Sequence, residues 1–233
     1  MQTQDAPTEL LIKFWPWFEA NRKRLIVTAV AAGAILLIWY FITTQREQKA
    51  INAGQAFTTL QLTLPPSSTA QQVAEDFSQL ASKYSGTLAG QRAQLQAASV
   101  LFDAGRYAEA QAQFDKFSGA NPGSPLAAAA RLGVAASLEA QDKLEEAATA
   151  YRAVISSYPE STEALPAKFS LGRVLELQGK LTEATSYYKE VTRSQLAGSL
   201  GQEAAQRLAQ IQVKLAAAKP AAPATPASPT LKN

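Results

Sequence analysis

The residues whose types could serve acid–base chemistry are two pairs of adjacent carboxylates, Glu75-Asp76 and Glu145-Glu146. A general acid and base must converge on one reacting atom in environments that hold their pKa values apart. Adjacent residues of a helix point in different directions, because only positions three or four apart share a face. Both pairs also stand among polar residues, so they read as wet helix surface. The chain has no His and no Cys. A Ser-His or Cys-His nucleophile pair therefore cannot be assembled, and the usual transition-metal ligand sets are missing. The same count excludes disulfides and a lipid-modified N-terminal cysteine, but it fits either redox compartment. No Gly-rich phosphate loop occurs. A net charge of +3, with no Lys/Arg stripe along a face, gives no footing for nucleic acid. The expectation is a protein that is not an enzyme, with no cofactor, metal or small-molecule substrate. Its composition, 47% apolar and 18% charged, is globular.

With chemistry set aside, the organising feature is a repeat. Over residues 91–201 three successive segments of 37 residues align at their structural positions. One column reads Gly105, Asp142 and Gly179; the next ones read Tyr107, Leu144 and Leu181, then Glu109, Glu146 and Glu183, then Ala110, Ala147 and Ala184. Phe114, Tyr151 and Tyr188 follow, then Phe117, Val154 and Val191, and Pro122 and Pro159 close the first two units. A fixed period between about 20 and 50 residues marks small supersecondary units that bury their apolar faces only by stacking. Each unit reads as a helical hairpin. Its Gly/Asp column suits a turn near the left-handed region, its Ala column lets two helices approach closely, and its aromatic column fills the crossing. Proline, lacking an N–H, then stops the second helix.

These columns resemble the tetratricopeptide repeat, which places Gly in its loop, Ala and an aromatic in its second helix, and Pro at its end. The units run three residues longer than the usual 34 of that family. In the first unit Ala97 and Ala98 stand where a bulky aliphatic and a Gly are usual, and Gln94 and Leu101 replace the Trp and Tyr. The fold class expected is all-α: one N-terminal transmembrane helix followed by an α-solenoid of tetratricopeptide-like hairpins.

Residues 1–24 read as a short cytoplasmic N-terminus, with Trp15, Trp17 and Phe18 around Pro16 and then Arg22, Lys23 and Arg24. From Leu25 to Ile42 there is no charge. As a helix these 18 residues span about 27 Å, against a hydrocarbon core of roughly 30 Å, which places a transmembrane helix at 25–44. Trp39 and Tyr40 sit where the far interfacial belt would lie. A cleavable signal would need a shorter apolar region and a small-residue site before Gln45, Arg46 and Glu47. A buried core helix would need a cover that Ala-rich repeats do not supply. Lys13, Arg22, Lys23 and Arg24 precede the span and only Arg46 and Lys49 follow it closely. Basic flanks stay in the cytoplasm, so the repeats are expected on the far side of the membrane, which for a bacterial inner membrane is the periplasm.

Residues 45–90 read as a membrane-proximal helix, broken at Pro65-Pro66, and a degenerate leading repeat in which Val73, Phe77 and Leu80 stand one period before Ala110, Phe114 and Phe117. Residues 199–218 carry Leu200, Ala204, Leu208, Ile211 and Leu215 on one side, the pattern of a capping helix. From 219 to 233 the composition falls largely to Pro, Ala, Thr and Ser, which reads as a disordered tail.

In the tetratricopeptide resemblance the first helix of each unit lines a concave face. The residues it places there are Arg92, Leu95, Ser99 and Phe102, then Ala129, Leu132, Ala136 and Glu139, then Pro166, Phe169, Arg173 and Glu176. The face lacks the Lys/Asn set with which some members clamp a terminal carboxylate. Leu95, Phe102, Leu132 and Phe169 have two readings, contact with apolar stretches of a partner or packing between repeats, and a helical apolar residue is most often core.

Taken together, anchor and repeats resemble the YfgM-like ancillary subunits of the SecYEG translocon. The likeness lies in Phe18-Glu19-Ala20-Asn21-Arg22-Lys23 before a Gly33-containing span that ends near Trp39. It continues in Thr87-Leu88-Ala89-Gly90-Gln91-Arg92-Ala93, and in Phe102-Asp103-Ala104-Gly105-Arg106-Tyr107-Ala108-Glu109-Ala110. That family has one span and a periplasmic tetratricopeptide-like domain. The resemblance implies a non-enzymatic accessory of the secretion channel whose partners are translocon subunits, periplasmic chaperones such as the PpiD-type foldase, or emerging chains. A general cell-envelope scaffold, an anchored regulator signalling through residues 1–24, and a cytosol-facing organelle-import receptor share the same anchor and repeats.

Overall fold

The computed structural model describes residues 6–218, with side chains from 15 to 217. Every element among them is an α-helix: α1 (Ala6–Thr63), α2 (Ala70–Lys83), α3 (Leu88–Asp103), α4 (Tyr107–Ala120), α5 (Ala127–Ala140), α6 (Leu144–Ser157), α7 (Ala164–Leu177), α8 (Leu181–Arg193) and α9 (Gly198–Ala218). The expectation for 219–233 lies outside the described residues. Contacts divide the chain into two units, Met1–Gln55 and Ala56–Asn233.

In the first unit, α1 is the one helix among the described residues that is long and apolar enough to cross a membrane. Ile35, Leu36, Leu37, Trp39, Tyr40 and Ile42 are all exposed along it, and so are Arg22, Lys23 and Arg24 before it; Leu25 is half-buried. Its hydroxyls are satisfied within the helix: Thr28 Oγ1 donates to the Leu25 carbonyl, and Thr43 and Thr44 both donate to that of Tyr40, each at 2.9 Å. Such back-bonding removes the cost of a bare hydroxyl in an apolar setting.

The second unit is built from hairpins, and its columns show why. Gly105, Asp142 and Gly179 have φ of 77°, 62° and 75°, so the turn between the two helices of each repeat passes through the left-handed region that Gly enters freely and Asp tolerates. Ala110, Ala147 and Ala184 are fully buried, as are Phe117, Val154 and Val191; a larger side chain in the Ala column would push the crossing helices apart. The aromatic column, Phe114, Tyr151 and Tyr188, fills the core beside them. Helices α4 and α6 stop before Pro122 and Pro159 with Asn121 and Tyr158 as their C-caps.

The leading hairpin follows the same plan. Thr69 and Gln72 form a reciprocal capping box at the start of α2. Phe77 is buried there, its ring 5.7 Å from that of Phe57, and Leu60 and Leu64 pack on the same cluster. At the other end α9 begins at Gly198, so the last residues of the third 37-residue segment already belong to the capping helix. Ala204 and Ile211 are fully buried, with Leu200 and Leu208 packed alongside. Leu215, expected on the covered side, is 41% exposed. With 21 residues against the 14 of α7, α9 outruns the helix it covers.

Candidate binding face

Helices α3, α5, α7 and α9 touch in succession, and the face they share is where the sequence places its binding candidates. Arg92 is exposed, and Leu95, Ser99, Phe102 and Leu132 are half-buried. Leu95 and Phe102 rest on the core cluster of the leading repeats, Leu132 on that of the later ones. Phe102 also meets Tyr107 edge-on at 5.2 Å. Phe169 departs from the partner-binding reading: it is only 5% exposed, with its ring 5.6 Å from that of Tyr188. The packing reading is the one the structure gives it, because α8 lays the aromatic column against that side of α7.

Glu139 and Arg173 are brought together. Arg173 donates from Nε and Nη2 to the two carboxylate oxygens of Glu139 at 2.8 and 2.9 Å, and Tyr151 Oη donates to Glu139 Oε2 at 2.8 Å. One repeat on, Tyr188 Oη donates to Glu176 Oε2 at 3.3 Å, while Arg207 and Lys214 of α9 donate to Glu176 at 3.4 and 3.1 Å. Each glutamate thus joins the second helix of its own repeat to the first helix of the next. Both carboxylates are largely covered, at 11% side-chain exposure, whereas the cations keep between 33% and 57%. Two forked donors on a shielded carboxylate are stronger than an exposed pair. Burial, followed by the facing Glu139, raises the pKa of the Tyr151 phenol well above its ordinary value; burial and then Glu176 do the same for Tyr188. The hydrogen bonds to Glu139 raise that of the Arg173 guanidinium.

The ladder went unrecognised in the sequence, although its signal was present. Where the twelfth position of the first helix changes from Phe102 to Glu139 and Glu176, the aromatic column changes in step from Phe114 to Tyr151 and Tyr188. At the first junction Ala136 stands in the Arg173 position. The ladder ends there, leaving a cavity of about 400 Å³ lined by Phe102, Ala136, Glu139, Leu144, Arg173 and Leu177 among others. A second cavity of about 580 Å³ lies by the α8–α9 connection, with Pro159, Leu165, Pro166 and Leu196 in its wall and the Lys168–Glu190 ion pair at its side. No group of potential metal ligands occurs among the described residues.

Stacked hairpins joined by a side-chain ladder, with a mixed apolar and charged face, define a helical-repeat protein-interaction module. The family model for a tetratricopeptide repeat-like domain matches residues 16–217, and the chain belongs to that family. Folds of this kind are generally non-enzymatic and bind proteins. No curated protein sequence matches the chain. It is similar to two crystal structures of nearly identical tetratricopeptide-like repeats from a Podosopora anserina protein described as a kinesin light chain. Identities are 17% and 16%, the matches cover 74% and 76% of this chain and 95% and 98% of those, and the TM-score is 0.45 for both. At that score the likeness carries no argument about partners.

Proposed function

We propose that this protein is a single-pass, membrane-anchored interaction scaffold of a bacterial inner membrane, and that it serves as an accessory of the secretion translocon. Its partners are translocon subunits and periplasmic chaperones or emerging chains, met on the face of α3, α5 and α7. The observation that carries the anchored part of the reading is the extent of the family match. One model runs from residue 16 to 217, so it takes in the uncharged stretch together with the repeats, which supports a retained anchor. The exposed apolar side chains of α1 and the basic cluster Arg22, Lys23 and Arg24 support the same anchor with its N-terminus in the cytoplasm. Anchoring raises the local concentration of the repeat face beside other membrane components without any new contact. The translocon itself rests on the resemblance of residues 18–39 and 87–110 to the YfgM-like subunits.

In intact cells, a photocrosslinker at Ser99, on the half-buried part of the face, is the test. Translocon subunits or periplasmic chaperones recovered after irradiation are the expected products. Recovery of cell-wall or outer-membrane assembly proteins alone would replace the translocon reading with that of a general envelope scaffold.

A further inference from the structure

The three residues that build the Glu139 link change type together from one junction to the next. Between the second and third repeats they are Glu139, Tyr151 and Arg173, joined by hydrogen bonds of 2.8 to 2.9 Å. One period earlier, between α4 and α5, the same positions hold Phe102, Phe114 and Ala136, whose side chains neither donate nor accept. Among the described residues, the ion pairs that join one repeat to the next, such as Lys180–Glu145 and Arg152–Glu183, all lie at the second junction or at the cap. The first junction has neutral hydrogen bonds instead. Gln141 Nε2 donates to Gln111 Oε1 at 2.8 Å, and Ser124 Oγ, in the loop leading into α5, donates to Gln91 Oε1 at 2.7 Å. Such neutral bonds are about half as strong as charge-assisted ones.

Packing divides at the same place. The buried core of the leading repeats ends at Phe114 and that of the later ones begins at Ala135, with half-buried Val134 packing on both. Phe114 lies so close to Gly133 of α5 that a Cβ there would come within 2.7 Å of the ring. A ring against bare backbone lacks the interleaved side chains that fix a helix crossing. The cavity of about 400 Å³ opens on this junction as well.

We propose that the solenoid bends at this junction, with α2–α4 as one arm and α5–α9 as the other. In a stack of repeats each interface contributes separately, so the stack gives first where its interface is weakest. The consequence falls on the cavity. Phe102 belongs to the first arm, whereas Ala136, Leu144, Arg173 and Leu177 belong to the second, which the Glu139–Arg173 pair holds together. Bending therefore moves one apolar wall of the cavity against a fixed remainder, a hinge that opens and closes the candidate face. The proposal requires neither the membrane nor the translocon partner.

The absence of native cysteines lets nitroxide labels test this directly. Ala112, Thr149 and Ser186 stand one period apart on α4, α6 and α8, and all three are exposed. The full chain in detergent would carry either Ala112→Cys with Thr149→Cys or Thr149→Cys with Ser186→Cys, and pulsed electron double resonance would give the distance distribution of each pair. The 112–149 pair, across the first junction, is expected to show the broader distribution. Arg173→Ala, which removes the lock at the second junction, should broaden the 149–186 distribution towards that of the 112–149 pair. A 149–186 distribution as broad as the other in the parent, or one that Arg173→Ala leaves unchanged, would overturn the hinge.

Discussion

Gln178 closes α7 with both polar atoms of its side-chain amide buried and unpaired. At the same place in α5, Gln141 donates from Nε2 to Gln111 Oε1 at 2.8 Å and to the Ser137 carbonyl at 3.0 Å. One period after Gln111 stands Ala148, so the later repeat has the glutamine without that partner. A buried unpaired amide costs about 1–3 kcal/mol, and Gln178→Met should raise the unfolding free energy by about 1 kcal/mol in urea titrations of the purified protein. The buried tyrosines predict a pH dependence. In the unfolded chain a phenol loses its proton near pH 10; in the fold Tyr151 and Tyr188 hold theirs to higher pH. Below about pH 10 both states keep the proton and these residues add no slope. Above it only the unfolded chain releases protons, so stability falls as pH rises, by up to about 1.4 kcal/mol per unit for each tyrosine. Unfolding of the Tyr151→Phe, Tyr188→Phe double variant at pH 9 to 11 should show a shallower decline than the parent.

At the scale of the element, the hairpin depends on how closely its two helices cross. Ala147 is fully buried at the middle crossing, and Ala147→Leu should destabilise the protein by about 1–3 kcal/mol through overpacking, read as an earlier thermal unfolding transition. The hairpins were legible in the sequence because each repeated column answers one local demand: a positive φ at Gly105, Asp142 and Gly179, a small side chain at Ala110, Ala147 and Ala184, and a ring at Phe114, Tyr151 and Tyr188. The fate of Phe169 was not legible. Its place in the first helix suits a face residue or a core residue equally, and only the ring of Tyr188 across the hairpin decides between them. Leu215 misled for the opposite reason, since amphipathic spacing cannot say where the neighbouring helix stops.

For the molecule as a whole, the sequence makes plain an uncharged stretch joined to a stack of repeats, because both signals accumulate over many residues. The candidate face was only partly readable. Each position in it was assigned repeat by repeat, whereas the Glu139–Arg173 and Glu176–Arg207 contacts form between repeats and depend on how the units stack. Joining an anchor to a binding face has meaning only if the two lie as the charge asymmetry requires, with residues before the span in the cytoplasm and the repeats across the membrane. The absence of native cysteines makes this directly measurable. Single-cysteine variants Glu19→Cys and Ser99→Cys would be exposed in spheroplasts to a membrane-impermeant maleimide. Labelling is expected at position 99 in intact spheroplasts and at position 19 only after lysis. Labelling at 19 and not at 99 before lysis, or release of the protein from the membrane fraction by alkaline carbonate, would contradict it.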